Sequence, residues 1–138
     1  VNSVELSRDN GTLTIAAGTE VSFWDARSYQ KIKSFNLGVI EANGYGVNTA
    51  TLHPEQKAFA AGGGNFWVYV HDFETGEELL CNKGHHGPVY GVRFHPDGKT
   101  YASGGDDGTI RYWTFSEQDE GGSGGLEAPA QVDVADAA

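Results

Sequence analysis

The sequence predicts an all-β fold: repeated sets of short antiparallel strands stacked as the blades of a β-propeller. Three observations carry this. Val47-Asn48-Thr49-Ala50-Thr51-Leu52-His53-Pro54 lines up with Val89 to Pro96 at a fixed offset of 42, ungapped through Ala61-Gly62-Gly63 against Ser103-Gly104-Gly105 and on to Val68 against Ile110. A looser copy opens 46 residues before Val47, at Val1-Asn2-Ser3-Val4-Glu5-Leu6, passes an Asn10-Gly11 turn and reaches Val21-Ser22-Phe23-Trp24-Asp25. A period of that size with strand–turn–strand content is what one blade requires. Composition agrees, since 20 Gly, 3 Trp, 6 Tyr and 7 Phe in 138 residues suit many short strands and turns.

Taken in order, residues 1–42 form the first unit. Its inner strands are separated by the Asn10-Gly11 and Gly18-Thr19-Glu20 turns, and an outer strand, Lys31-Ile32-Lys33-Ser34-Phe35, follows the Arg27-Ser28 turn. Asn36 to Gly46, with Gly38, Gly44 and Gly46, is longer than a blade-to-blade link needs and is expected to be a surface loop, where binding residues tend to sit. Residues 43–83 form the second unit, whose outer strand Glu77 to Lys83 follows the Glu74-Thr75-Gly76 turn. Residues 84–115 form the third. Val89, Val92 and Phe94 mark its first strand, and His95-Pro96-Asp97-Gly98 is a turn in which Pro presets φ and Gly accepts φ > 0. Thr100 to Gly104 is a small-residue strand able to be buried on both faces, Asp106-Asp107-Gly108 is a tight hairpin turn, and Thr109 to Phe115 is β-branched and aromatic. No outer strand follows, so this unit is expected to be short of one.

Residues 116–138 differ in kind. They hold six acids, no base, no aromatic residue and the run Gly121-Gly122-Ser123-Gly124-Gly125. Such a segment buries too little apolar surface to offset its ordering entropy, and a disordered acidic tail is expected.

The third unit resembles a WD40 repeat, whose signature is a Gly-His pair, four strands per blade and a closing Trp-Asp. It carries Gly84-His85 and Trp113, with Thr114 in place of the Asp. The resemblance implies a structural hydrogen-bond network: His85 to Ser103, Asp107 holding the His85 ring, and Ser103 to the Trp113 indole. Asp107 rather than Asp106 takes the role because it directly precedes Gly108. A buried indole N–H, imidazole and carboxylate each need partners, and a closed chain serves all three. The first two copies are degenerate. The first keeps Trp24-Asp25 but lacks an Asp-Gly turn; the second has Asn65 and His71 where Asp107 and Trp113 stand, and no Gly-His pair. Three blades cannot close a ring, so the resemblance implies missing upstream blades, about four. The absence of Met at position 1 is likewise expected of a fragment or processed form.

Chemistry other than binding finds little support. Asp106 and Asp107 precede a turn glycine, Gly62-Gly63-Gly64-Asn65 lacks the Lys-Ser/Thr of a phosphate loop, and Ser103 has no exposed elbow around it. No catalytic residue and no cofactor is assigned. His53 and His95 occupy one turn position in successive blades and are expected far apart, while Cys81 has no Cys partner, so no metal site is assigned either. That lone cysteine fits a reducing compartment and a structural thiol. Asn10-Gly11-Thr12 matches a glycosylation sequon but reads as a hairpin turn. No apolar run approaches the ~20 residues of a membrane span, and no signal peptide opens the chain. Net charge is -10, but residues 1–115 hold 13 acids against 9 bases with no basic stripe, which argues against tight nucleic-acid binding. The functional lead is aromatic: Tyr29, Trp67, Tyr69 and Phe73 are candidate partner-binding residues, set against the plainer possibility that each fills space between blades.

Thr75-Gly76-Glu77-Glu78, Cys81-Asn82-Lys83-Gly84-His85-His86-Gly87-Pro88-Val89, Val92-Arg93-Phe94 and Tyr101-Ala102-Ser103-Gly104 go beyond the generic repeat. They resemble the last blades of the serine-threonine kinase receptor-associated protein (unr-interacting protein) family, in its plant and algal wording. Val1-Asn2-Ser3, Ile32-Lys33-Ser34-Phe35 and the acidic tail are similar to the same family. The resemblance implies a seven-bladed non-enzymatic scaffold. Its expected partners are the survival-of-motor-neuron (SMN) complex with its Gemin-type proteins, in spliceosomal ribonucleoprotein assembly and messenger-RNA metabolism, and RNA-binding proteins. The expected location is cytoplasm and nucleus. Alternatives are a subunit like the I subunit of translation initiation factor 3, a signalling adaptor on receptor kinases, and a phosphopeptide reader with Arg or Lys clustered on one face.

Overall fold

Short runs rich in β-branched and aromatic residues, cut by turns that use Gly or Asn at positive φ, become strands throughout. The computed structural model describes residues 1–42, 44–115 and 133–134. Strands β1 (Ser3–Leu6), β2 (Thr12–Ala17), β3 (Glu20–Asp25) and β4 (Lys31–Asn36) form one antiparallel sheet in chain order. A second joins β5 (Val47–Leu52), β6 (Ala58–Gly63), β7 (Trp67–Asp72) and β8 (Glu78–Lys83). A third joins β9 (Val89–Phe94), β10 (Thr100–Gly105), β11 (Ile110–Thr114) and β12 (Asp133–Val134). The repeat persists in register: Leu13 faces Trp24, Phe59 faces His71 and Tyr101 faces Trp113. Gly98 (φ +73°) and Gly108 (φ +79°) supply the left-handed residues of the two turns in the third sheet.

β12 corrects one expectation. The third sheet does not end at β11, because Asp133 and Val134 pair with Arg111 and Ile110 at its outer edge. An open strand edge offers backbone donors and acceptors to any extended segment within reach, and here the same chain supplies two residues. The remainder of the expected disordered tail, 116–132 and 135–138, lies outside the described residues.

The sheets stack face to face, and each junction has its own core. Between the first and second sheets lie Val21, Phe23, Ile40, Val47, Phe59 and Tyr69, with Phe73 joining them. Phe23 meets Phe35, Phe59 and Phe73 edge-on, at centroid separations of 6.2, 5.2 and 4.9 Å. Between the second and third sheets lie Val68, Val70, Val89, Val92, Tyr101 and Trp113. The second sheet is therefore covered on both sides, and all six residues of β6, Ala-Phe-Ala-Ala-Gly-Gly, are buried. Small side chains let the sheets approach: a Cβ on Gly62 would stand 2.6 Å from Val89 Cγ1.

Polar side chains fasten the inner strands to one another. Asn2 Nδ2 donates to the Val47 carbonyl, and Asn48 Nδ2 repeats the contact to Val89. Glu5 on β1 accepts from Thr51 Oγ1 (2.8 Å) and the Leu52 amide (2.9 Å), and pairs with Arg93 on β9 at 3.3 Å. One carboxylate thus touches all three sheets.

The Asn36 to Gly46 segment departs from a plain surface loop. Gly38–Ile40 is a 3-10 turn, and Leu37 and Ile40 are buried in the first core. Ala42 and Tyr45 then bridge each other in a small antiparallel pair, which leaves the Tyr45 ring exposed.

Candidate functional site

The third sheet builds a closed polar chain. β10 carries Ser103, β11 carries Trp113, the turn between them carries Asp107, and the segment entering β9 carries His85. His85 Nε2 lies 2.8 Å from Ser103 Oγ, His85 Nδ1 lies 3.1 and 3.2 Å from the two Asp107 oxygens, and the Trp113 indole N–H donates to Ser103 Oγ at 2.9 Å. One tautomer satisfies every atom. Nδ1–H donates to the carboxylate, Nε2 accepts the Ser103 hydroxyl proton, and the serine oxygen accepts from Trp113. His85, Ser103 and Trp113 are buried. The network is a clamp between strands, with its imidazole, hydroxyl and indole closed off from solvent.

Asp107 is the most perturbed carboxylate here. Partial burial acts to raise its pKa, but hydrogen bonds from the His86 amide, the Thr109 hydroxyl, the His85 ring and the Thr109 amide outweigh it and hold the carboxyl well below the ordinary carboxylate range.

The equivalent positions in the other sheets solve the problem differently. Register places Ile15 and Ala61 where Ser103 stands. Lacking that hydroxyl, Trp24 donates to Ser22 on its own strand at 2.9 Å, and the ring stays only partly buried. In the second sheet His71 replaces the tryptophan and stacks on Phe59 (5.3 Å, 14°) and Tyr69 (6.2 Å, 27°). Its Nδ1 meets the Gly76 carbonyl at 3.0 Å, and its Nε2 is buried with no hydrogen-bond partner.

That arrangement makes His71 acid-sensitive. Burial pushes its pKa down, and the Gly76 contact only partly opposes this. A histidine with a depressed folded-state pKa takes its proton in the unfolded chain first. The folded state is therefore fully favoured above the ordinary value of 6.5 and loses ground as pH falls below it. Below that value His71 should contribute a loss approaching about 1.4 kcal/mol per pH unit. His71→Phe, which keeps the ring stack, is expected to flatten the difference between urea midpoints at pH 7.5 and 5.5 relative to the parent. An identical slope in both proteins would mean His71 is not the responsible group.

The nominated aromatics divide in two. Tyr69 (2% exposed) and Phe73 (7% exposed) are core residues and are removed from the candidate surface. Tyr69 packs in the first core with its hydroxyl accepting from Asn65 at 2.7 Å, and Phe73 lies under Phe23 and beneath the Lys33 ammonium, 4.2 Å from the ring. Tyr29 and Trp67 reach solvent at 72% and 36%. Tyr29 holds a φ of +59° at the turn position where the second sheet uses Gly76, a conformation unfavourable for a bulky side chain. Trp67 is roofed by Lys83, whose Nζ sits 4.3 Å from the ring centroid.

Among the described residues no group of three or more His, Cys, Asp or Glu side chains is placed to hold an ion. The turns bearing His53 and His95 do meet, contrary to the expected separation, because adjacent blades bring them side by side: His53 Nε2 lies 3.0 Å from the Gly98 carbonyl. Beside it an open cleft of about 510 Å³ is lined by Glu55, Lys57, Asp97, Lys99 and Phe115, with charges of both signs. Burial raises the pKa of Cys81, which disfavours its thiolate form. No helix among the described residues is long and apolar enough to cross a membrane.

Three four-stranded antiparallel sheets stacked in file, one of them closed by the His–Ser–Trp–Asp clamp, define a WD40-type β-propeller chain. The WD domain, G-beta repeat family matches residues 76–114. The fold superposes on the crystal structure of the RRP9 WD40 repeats with a TM-score of 0.73 at 14% identity, covering 95% of this chain and 38% of that one. Within this class the chain resembles serine-threonine kinase receptor-associated protein, with 50% identity to the Dictyostelium discoideum protein over 113 residues, 82% of this chain and 36% of that protein. The Homo sapiens protein is 43% identical over 113 residues and is covered to 31%. Eukaryotic translation initiation factor 3 subunit I of Drosophila yakuba is 34% identical over 131 residues and is covered to 38%. The chain thus spans about a third of the length of these relatives.

Proposed function

We propose that this chain is part of a non-enzymatic WD40 scaffold that serves as an accessory of the survival-of-motor-neuron complex in assembling spliceosomal small nuclear ribonucleoproteins, in cytoplasm and nucleus. The observation that carries the reading is the 50% identity with serine-threonine kinase receptor-associated protein over 113 residues, against 34% with the initiation-factor subunit. The exposed apolar residues of the outermost faces support a larger ring. Val4, Leu6 and Ile32 on the first sheet, and Ile110 and Tyr112 on the third, are 46–54% exposed where further blades of a seven-bladed propeller would pack.

Affinity capture of the full-length parent from its own cells, with mass spectrometry of what co-purifies, tests this. Recovery of SMN, Gemin-type and Sm proteins is the expected result. Recovery of the initiation factor 3 core without them would replace this reading with that of a translation-factor subunit.

A further inference from the structure

Two tyrosines from different sheets meet in the open at the sheet junction. Tyr45 precedes β5, Tyr90 is the second residue of β9, and their ring centroids are 6.0 Å apart at 77°, an edge-to-face pair. Both are exposed, at 42% and 47%, although other aromatic rings of the chain at this junction, such as Tyr101 and Trp113, are buried. In this chain the pair faces solvent at the junction of the second and third sheets and fills no core.

The position of Tyr90 is distinctive within the repeat. Asn2 and Asn48, at the matching place in the first two units, spend their amides on the carbonyl of the next inner strand. The third unit puts a phenol ring there, and the ring turns to Tyr45. An acid stands beside the pair. The Asp106 amide donates to the Pro88 carbonyl, two residues before Tyr90, at 2.8 Å, and Asp106 is exposed. The Tyr90 hydroxyl is held neutral: the Tyr45 hydroxyl contact, burial and the neighbouring Asp106 charge push its pKa up to about 12.

Exposed π-faces near a carboxylate attract a cation and repel an anion. The ring quadrupole favours positive charge above its face, and a carboxylate adds a hydrogen-bonding counter-charge. The folded body, with 13 acids to 9 bases, biases long-range approach the same way. Arginine fits best, because its planar guanidinium stacks on one ring while its edge reaches the carboxylate.

We propose that Tyr45, Tyr90 and Asp106 form a receptor for an arginine side chain of a protein partner. The site stands whichever complex the chain serves, so its test is separate from the capture experiment.

The test uses the 138-residue chain and fluorescence anisotropy with three labelled probes: an alanine-based peptide carrying two arginines, its glutamate counterpart, and an oligouridylate. The arginine peptide is expected to bind, with Tyr90→Ala and Asp106→Asn each weakening it about tenfold. Tyr90→Phe, which keeps the ring, should bind within about threefold of the parent. All three positions are exposed, and near-ultraviolet circular dichroism confirms that each variant keeps its fold. Equal affinity of the parent and Tyr90→Ala for the arginine peptide would overturn the assignment. So would preferential binding of the oligouridylate, which would mark the tyrosines as a base-stacking platform, or of the glutamate peptide.

Discussion

Ser103→Ala is expected to lower stability by roughly 3 kcal/mol, out of all proportion to the loss of one small hydroxyl. The serine oxygen is the only atom that serves both neighbours, accepting from the Trp113 indole at 2.9 Å and facing His85 Nε2 at 2.8 Å. Its removal strands a donor and an acceptor together in a buried place, at about 1–3 kcal/mol each. Urea denaturation at constant m reads this directly. The diagnostic is non-additivity: Trp113→Phe in the Ser103→Ala background should cost less than in the parent, since the indole N–H has already lost its partner. Trp24→Phe is the control. Its indole bonds the single hydroxyl of Ser22 in a half-open setting, and a cost below about 1 kcal/mol is expected. The Asp107 end adds a pH signature. With a depressed folded-state pKa, its contribution is complete above the unfolded value of 3.8, declines as pH falls below it and is lost only once pH has passed below the depressed folded-state pKa. Additive losses for Ser103 and Trp113 would show that the two residues do not share a network.

Much of the architecture was legible because turns are local chemistry. Asn10, Gly18, Gly76, Gly98 and Gly108 hold positive φ, as Gly and Asn between apolar runs suggest. The 42-residue offset then fixes how often the unit recurs. The clamp was legible for another reason: a Gly-His pair, a serine on the small-residue strand, an Asp-Gly turn and a tryptophan are four residue types with complementary hydrogen-bonding needs. Trp24-Asp25 shows the limit of reading a signature by name. Asp25 serves its own turn, accepting from the Arg27 and Ser28 amides, and Asp72 repeats this with Glu74 and Thr75.

What stayed hidden was everything that depends on which sheet lies against which. In a sheet covered on both sides the apolar–polar alternation vanishes, so the pattern of β7 could not say that Tyr69 turns inward. Phe73, nominated for partner binding against the alternative of filling space between blades, is closed over by Lys33, 40 residues away, whose Nζ also donates to its carbonyl. The Glu5 contacts and the Tyr45–Tyr90 pair are invisible for the same reason, since each joins residues more than 40 apart that share no motif.

Gly63→Ala should be nearly as damaging as the serine change, for a steric reason. A Cβ at Gly63 would stand 2.0 Å from the Gly46 carbonyl oxygen and 2.5 Å from Ile40 Cγ2, so a backbone and a fully buried side chain would both have to move. Overpacking of this kind costs about 1–3 kcal/mol or more. Gly104 serves as the control: it aligns with Gly62 and not with Gly63, but it is a strand glycine with nothing within 4 Å of its would-be Cβ. Gly104→Ala should leave the urea midpoint close to that of the parent or raise it slightly, given the lower chain entropy of alanine. The larger consequence is positional. Gly46 follows Tyr45, and the Tyr45 and Ala42 carbonyls lie 2.6 and 2.1 Å from the Cβ position of Gly64, so Gly63 at the end of β6 and Gly64 just after it are the bed on which the tyrosine loop rests. Pushing Gly46 away shifts Tyr45 from Tyr90. Gly63→Ala, assayed under conditions where it is still folded, is therefore expected to weaken the arginine peptide although residue 63 touches neither ring. Full affinity in a destabilised Gly63→Ala protein would mean that the loop is held by something other than this bed.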